Sequence, residues 1–180
     1  MKLNIDDTLV NIIQDATEKA ISKLFEERKE KFYYCALITT GEALCPVISA
    51  WSEEALERIT QGEENIEKAK YYLKWAYEES PYFTYGEEYF ESVNKIFIER
   101  MRKIKDEKER DEEIELRINS MERVMHNLDK KGLFGTGKQR LNIVINVEVM
   151  PPDFTNTERA LRLNPKEALN EWLDEIAEDL

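Results

Sequence analysis

The chain has 180 residues, of which 38 are acidic, 26 basic and one a histidine, so its formal net charge is −12. Such a surface repels nucleic acid unless basic residues gather in one patch, and no apolar run reaches the ~20 residues that a membrane span needs. Hydrophobic residues make up 42% of the chain, which excludes global disorder and favours one folded domain.

The first part of the chain predicts a helix followed by two strands. Apolar residues spaced by three and four over residues 6–30 indicate an amphipathic helix. Residues 32–40 (FYYCALITT) are apolar on both faces and rich in β-forming residues, which is typical of a central strand. Residues 44–51 (LCPVISAW) predict a second, antiparallel strand. Pro46 cannot donate a backbone hydrogen bond and therefore indicates an edge position or a bulge.

A helical block follows the two strands. The apolar spacing predicts helices over residues 52–62 and 64–79, and a third that starts near Gly86. The run KDEKERDEE (105–113) has no apolar position, so it fits either a long solvated helix or a charged elbow. Residues 86–131 therefore form either one long helix or two.

The last third of the chain predicts a strand between two helices. Gly132 is a suitable cap for the end of the helix before it. Residues 141–149 alternate between apolar and polar, as a half-exposed strand does, and we expect this strand to pair with the first one. Asn164 as cap and Pro165 at the first helical position predict a last helix over residues 164–180.

These elements predict an α+β fold. We expect a small, mostly antiparallel sheet, with strands at about 32–40, 44–51 and 141–149, packed against amphipathic helices. Residues 1–180 are predicted to form a single α+β domain with a helical insertion at about 64–131. Two strands precede the helical block and one follows it, an order that fits this class better than a regular βαβ array.

The sequence shows no constellation of catalytic residues. Most acid–base, nucleophilic and metal sites use histidine or a group that histidine activates, and His126 is the single histidine. Glu122 lies one helical turn before it, but one histidine and one glutamate are too few for a zinc or di-iron site. We therefore predict no catalytic residue, no cofactor and no metal, and favour a non-enzymatic protein. Cys35 and Cys45 lie in apolar runs and are expected to be free thiols.

The segment GLFGTGKQR (132–140) has part of the spacing of a phosphate-binding loop, through Gly132, Gly137 and Lys138. A phosphate loop follows a strand and opens a helix, whereas this segment follows a helix and precedes a strand. A glycine turn is therefore the favoured interpretation. The alternative hypothesis is an enzyme of unknown class with a carboxylate or tyrosine site near this turn, in which Lys138 and Arg140 face an anion.

The strongest local signal is aromatic and lies in residues 70–90 (KYYLKWAYEESPYFTYGEEYF). Neighbouring rings on a helix point in different directions, so they cannot all enter one core. Exposed rings beside carboxylates predict a surface that binds a protein partner, and the alternative is a loop packed by its own rings over the sheet. The predicted partner-binding residues are Tyr71, Trp75, Tyr82, Tyr85, Glu87 and Glu88.

The segment FYYCALITTGEALCPVISAWSEEALER (32–58) resembles the N-terminal core of an uncharacterised bacterial family of similar length, a domain of unknown function. The segment KWAYE (74–78), the GLFG turn with Arg140, and VEVMPPD followed by ALRLNP extend the resemblance over nearly the whole chain. No catalytic residue is established for that family, so the resemblance carries none over to this chain. Members of the family lie beside toxin and immunity genes, which implies an antitoxin-like binding role.

These observations lead us to expect a non-enzymatic, acidic protein-binding module, with an immunity or antitoxin-like role. The expected partner is a basic protein such as a toxin domain, and no nucleic acid or membrane partner is expected. The first residues carry acids where the apolar part of a signal peptide would lie, so we expect a cytoplasmic protein. A self-associating structural protein, packed through the charged helices of residues 86–130, is a third hypothesis, and the oligomeric state stays open.

Overall fold

A three-stranded sheet organises the fold in the computed structural model, which describes residues 5–176. The strands are β1 (Phe32–Thr40), β2 (Val47–Ser52) and β3 (Val144–Met150), in the spatial order β2-β1-β3. β1 is antiparallel to β2 and parallel to β3. The predicted α+β class is therefore confirmed, as are the central position of the first strand and its pairing with the last one.

The described residues also form seven α-helices, several of which pack on this sheet. They are α1 (Asp7–Glu27), α2 (Glu53–Thr60), α3 (Ile66–Leu73), α4 (Glu91–Met101), α5 (Glu107–Lys130), α6 (Phe154–Leu163) and α7 (Asn170–Glu175). Short 3₁₀ turns lie at Tyr77–Glu79, Glu87–Phe90, Gly137–Asn142 and Lys166–Leu169. α1 and α5 pack along each other and reach the sheet through β2 and β3. The interpretation of residues 64–131 as an insertion stays a prediction.

The charged region after residue 86 forms two α-helices rather than one. The chain leaves α4 at Met101, and Asp106 then caps α5 by accepting a hydrogen bond from the backbone N–H of Glu109. The capping carboxylate satisfies one of the N–H groups that an α-helix leaves unpaired at its start. Most of the run 105–113 thus forms the solvated first turns of α5.

Gly132 closes α5 as the sequence predicted. Its φ of 84° lies in the left-handed region that favours glycine. The N–H of Leu133 reaches back to the carbonyl of Leu128 at 3.1 Å, and the N–H of Gly132 reaches that of Asp129 at 2.8 Å. This pair of bonds is the Schellman arrangement, which satisfies the last carbonyls of a helix.

Side chains of α6 and of Asn164, the residue that caps its C-terminus, bond to the outer edge of β3. The amide of Asn164 accepts from the N–H of Ile145 at 2.9 Å and donates to the carbonyl of the same residue at 2.7 Å. Asn156 makes the equivalent two bonds to Val149, at 2.8 and 3.1 Å. Between these two asparagines, Nε of Arg159 donates to a backbone carbonyl of β3 at 2.7 Å. These side chains occupy the positions of a fourth strand, so the edge offers no free ladder to another chain.

The role of Asn164 corrects one sequence prediction. Asn164 was expected to start a last helix over residues 164–180, whereas it ends α6 and binds β3. The chain then makes a 3₁₀ turn after Pro165 and the short α7, and residues 177–180 lie outside the described part. α6 itself was not predicted, because its inward face carries asparagine and arginine rather than an apolar stripe.

The outer edge of β2 is covered by the segment between α3 and α4. The N–H of Thr84 donates to the carbonyl of Ile48 at 2.8 Å, and the hydroxyl of Ser80 donates to the carbonyl of Ala50. The indole N–H of Trp51 reaches the same segment, at the carbonyl of Ala76. Both edges of the sheet are therefore bonded, and the aromatic segment is fixed to β2.

We predict that Asn164→Ala lowers the free energy of unfolding by about 3 kcal/mol, because it leaves a buried N–H and a buried carbonyl of Ile145 without partners. Urea denaturation followed by circular dichroism measures this loss. Asn94→Ala, on an exposed position of α4, is the matched control and should change stability by no more than about 0.5 kcal/mol. Equal effects of the two substitutions would contradict the role of Asn164 at the edge.

Candidate functional site

A groove of about 910 Å³ lies between α4 and the segment that enters β2. One wall is formed by residues 44–47 and the other by residues 87–102. We call it the α4 groove. Its size is that of a pocket which can hold a ligand or the anchoring side chains of a partner. The lining residues are Leu44, Cys45, Pro46, Val47, Glu87, Glu88, Phe90, Glu91, Asn94, Phe97, Ile98, Met101, Arg102 and Arg117.

The long walls of the α4 groove are mostly apolar and partly open to solvent. On α4 the lining positions Asn94, Ile98 and Met101 recur at intervals of three and four, so they lie on one side of the helix. Ile98 is 44% exposed, and Leu44 on the opposite wall is 51% exposed. Two large apolar side chains thus face solvent across one groove, an arrangement that marks interaction sites more often than scattered single residues do.

One end of the α4 groove carries an acidic rim, formed by Glu87, Glu88 and Glu91. All three are exposed. The basic groups that approach them are Lys23, 3.7 Å from Glu88, and Lys95, 3.9 Å from Glu91. Because these pairs are long and solvated, they neutralise little of the negative potential of the rim.

Gly86 sets the position of the acidic rim. Its φ is 71°, and a Cβ at this position would lie 2.7 Å from the Cβ of Ala20 on α1. Only glycine fits both the backbone conformation and the close approach. The start of the rim therefore lies directly against α1.

Arg117 forms the buried base of the α4 groove. Its side chain is 1% exposed, and its guanidinium lies 4.1 Å from the centre of the Phe97 ring. It donates to the backbone carbonyl of Phe97 at 2.8 Å and to that of Ala43 at 3.2 Å. Ala43 has a φ of 48°, which is unfavourable for a residue with a Cβ. The bond from Arg117 helps to hold this turn, which joins β1 to the groove wall.

A chain of ion pairs connects Arg117 to α1. Nε of Arg117 donates to Glu113 at 2.8 Å, and Arg100 donates to the same carboxylate through two bonds of 2.8 Å. Arg100 also reaches Asp6, the cap of α1, at 2.9 Å. Burial acts to raise the pKa of Glu113, but the bonds from both arginines outweigh it and lower this pKa. Glu113 thus stays ionised between two cations.

The two cysteines differ in exposure but not in the direction of their pKa shifts. Cys45 lines the α4 groove, and burial raises the pKa of its thiol to about 11, although the charge of Arg117 acts in the opposite direction. Cys35 is fully buried in β1, and burial raises its pKa well above the ordinary value. Both are free thiols, as expected. Neither is a thiolate at neutral pH, so neither is prepared to act as a nucleophile.

The structure buries two of the six predicted partner-binding residues. Trp75 is 6% exposed and packs edge-on against the rings of Tyr33 and Tyr34, with centroids 5.3 and 6.0 Å apart. Tyr82 is 4% exposed, and its hydroxyl donates to Glu30 at 2.7 Å. These rings hold the aromatic segment on the sheet, so a partner would contact them only after rearrangement.

The other four predicted residues lie nearer the surface. Tyr71 is 61% exposed on α3 and lines a second groove, next to α2. Tyr85 is partly exposed and donates to Glu27. Glu87 and Glu88 lie on the rim of the α4 groove. The sequence therefore identified part of the rim, whereas it missed the exposed apolar wall.

The remaining candidates from the sequence have structural partners. Arg140 is 6% exposed and donates to Asp129, to two backbone carbonyls and to Asn164 at 3.0 Å, so the turn 132–140 is fixed to α5 and α6. Glu122 binds Arg162 through bonds of 2.7 and 3.0 Å, one turn from His126. Within residues 5–176, no three acidic, histidine or cysteine side chains gather as a metal site would require.

None of the described helices is long and apolar enough to cross a bilayer. Among known families, one described as a domain of unknown function (DUF4303) matches residues 13–165, which is most of the chain. No curated protein and no solved structure matched the chain.

We predict that Glu113→Gln destabilises the protein in a pH-dependent way. At neutral pH the variant leaves the buried Arg117 without a counter-charge and takes from Arg100 one of its two carboxylate partners, so it should lose roughly 3 kcal/mol. Because folding lowers the pKa of Glu113, its carboxylate stabilises the native state above its unfolded pKa of about 4.3, and this contribution fades as the pH falls below that value. Urea unfolding from pH 7 to pH 3 should show the difference from wild type shrinking. Glu115→Gln, exposed on the same helix, is the control, and a difference for Glu113→Gln that is independent of pH would contradict the ion-pair chain.

We predict that the native protein reacts at one thiol only. Cys45 should react slowly with the neutral thiol reagent dithiodipyridine, about tenfold faster for each pH unit between 7 and 9, because its pKa is about 11. The released chromophore measures this rate. Cys45→Ser should remove the reaction, and urea should restore one reactive thiol, Cys35, in that variant. Two reactive thiols in the native wild type would be inconsistent with the burial of Cys35.

Proposed function

We propose that this chain, which belongs to the DUF4303 family of domains of unknown function, is a non-enzymatic module that binds a basic protein partner through the α4 groove. The observation that carries the proposal is an apolar groove, open to solvent, with three exposed glutamates at one end. Apolar centres with polar rims are the usual composition of protein interfaces.

The apolar walls support a protein partner rather than a soluble ion. Leu44 and Ile98 face the groove from opposite sides, and each exposes about half of its surface. Burying both would remove apolar area from water and stabilise a complex. Phe97 and the buried Arg117 beneath them are held by several bonds, so the base of the site is formed before a partner arrives.

The charge supports a basic partner. The rim carries Glu87, Glu88 and Glu91, and the whole chain has a net charge of −12. A field of this sign attracts a cationic protein and accelerates its approach, and salt screens the effect. Arg102 is an exposed cation at the opposite end of the α4 groove, so the negative potential is concentrated at the rim.

We further propose that the partner is a toxin domain and that this protein occludes it, as an immunity protein does, in the bacterial cytoplasm. The resemblance of residues 32–58 to a family whose members we expect beside toxin and immunity genes supports this role. The two free thiols are in keeping with a reducing compartment.

An enzyme with a site near the 132–140 turn has less support. The hypothesis needs Arg140 to face an anion, whereas its guanidinium is buried and donates to Asp129, Asn164 and two backbone carbonyls. Lys138 is exposed beside it, but one solvated lysine on a turn is a weak anion site.

We predict salt-dependent binding of a basic protein encoded by one of the two genes that flank this one. The measurement is calorimetric titration of each purified product at low and at high salt. Glu87→Gln/Glu88→Gln/Glu91→Gln should weaken binding at low salt roughly tenfold, since each exposed pair contributes a few tenths of a kcal/mol or more. Ile98→Glu should weaken it at both salt concentrations, because it places a charge on the apolar wall.

The charge-matched control is Glu107→Gln/Glu112→Gln/Glu115→Gln, three exposed glutamates on α5 outside the α4 groove. This variant should bind almost as wild type does. If both triple variants lose the same affinity, the net charge and not the rim attracts the partner. If neither flanking product binds at low salt, the proposed immunity role is contradicted.

A further inference from the structure

We infer that the occupant of the α4 groove is an amphipathic α-helix of about three turns that carries lysine or arginine near the acidic rim. This inference rests on the proposed function of the groove as a protein-binding site and adds the form and chemistry of the segment that fills it. Three features of the groove lead to it: the spacing on one wall, the backbone of the other wall, and the distribution of charge.

The wall formed by α4 has the geometry that a second helix packs against. Its lining positions run from Glu91 through Asn94 and Ile98 to Met101, at intervals of three and four residues. Such a row runs along one face of the helix, and a second helix can pack against a face of this kind. α4 has 11 residues and is therefore about 16 Å long, which matches a partner helix of about three turns.

The opposite wall excludes the addition of a strand. Residues 44–47 contain Pro46, which has no N–H to donate. The outer edge of β2 that follows is bonded to the segment between α3 and α4, at Ile48 by Thr84 and at Ala50 by Ser80. A peptide that binds by extending a sheet needs a free edge. The occupant must therefore be held by its side chains, as a helix in a groove is.

The charges define where the basic residues of this helix lie. Glu87, Glu88 and Glu91 surround one end of the α4 groove, and Arg102 lies at the other. A helix with apolar residues on one side and cations beside the acidic end would satisfy both the walls and the rim. A second copy of this chain fits less well, because each copy carries a net charge of −12 and the two would repel each other.

Cys45 offers a direct readout of occupancy, since it lines the α4 groove while Cys35 is buried. The probe is a synthetic peptide of about 14 residues, with leucine at helical spacing and lysine elsewhere. Two matched peptides serve as controls: one of the same composition interrupted by prolines, and one with glutamate in place of lysine. The rate at which Cys45 reacts with dithiodipyridine is measured with each, together with peptide helicity by circular dichroism.

We expect the helical lysine peptide to slow the reaction of Cys45 about tenfold when its concentration is about ten times its Kd. It should gain helicity on binding. The control peptides should leave the rate within about twofold of the free protein. Glu87→Gln/Glu88→Gln/Glu91→Gln should lose most of the protection, and Glu107→Gln/Glu112→Gln/Glu115→Gln should keep it.

Four outcomes would overturn the inference. Equal protection by the proline-interrupted peptide would show that the occupant is extended, and equal protection by the glutamate peptide would show that charge does not select it. No protection by any peptide would also count against it. Sedimentation that shows a dimer of the chain alone, lost on Ile98→Glu, would identify a second copy as the occupant.

The proposed function and the helical form of the occupant can be contradicted independently of each other. If a product of a flanking gene protects Cys45 while no peptide does, the α4 groove binds a protein and only the helical form of the occupant is wrong. If such a product binds and leaves the reaction of Cys45 unchanged, partner binding lies elsewhere and both proposals for the α4 groove are overturned.

Discussion

The buried guanidinium of Arg117 is the contact on which the surrounding structure depends. It bonds to the turn after β1 through Ala43, to α4 through Phe97, and to Glu113 within α5. Arg100 extends this chain of charges to the cap of α1. A charge removed from water is costly unless it is fully paired, so these elements are held in one arrangement. The α4 groove lies on the exposed side of these elements. Because they are held in place, the base of the groove is rigid.

The second constraint on the fold is that both edges of its sheet must find hydrogen-bond partners. A three-stranded sheet has two edge strands, and each would offer unpaired backbone groups to another chain. Here asparagine side chains within and directly after α6 bond to β3, and the aromatic segment bonds to β2. Since strand pairing is closed on both sides, the surface left for recognition is made of side chains. For this reason we propose an apolar groove with a charged rim, rather than a sheet edge, as the place where a partner binds.

Much of the fold could be predicted from the sequence, because periodicity and caps are local signals. The two-sided apolar pattern of β1 and the glycine at the end of α5 both led to correct elements. α6 was missed because asparagine and arginine face inward there, which only the neighbouring strand explains. The aromatic segment was identified as important, but its sequence could not show that Trp75 and Tyr82 are buried while Ile98, on another helix, is exposed. Exposure depends on contacts between distant segments.

The close approach of Gly86 to Ala20 has a consequence for related proteins. The two positions form a contact between small residues, with no room for even one added methyl group. A larger side chain at either place would push the 3₁₀ turn of Glu87–Phe90 away from α1 and rotate the carboxylates that follow. Relatives in which position 20 is bulky must therefore present the acids that follow position 86 along a different line. The residues at positions 20 and 86 therefore indicate, in any homologous sequence, whether these carboxylates keep the same arrangement.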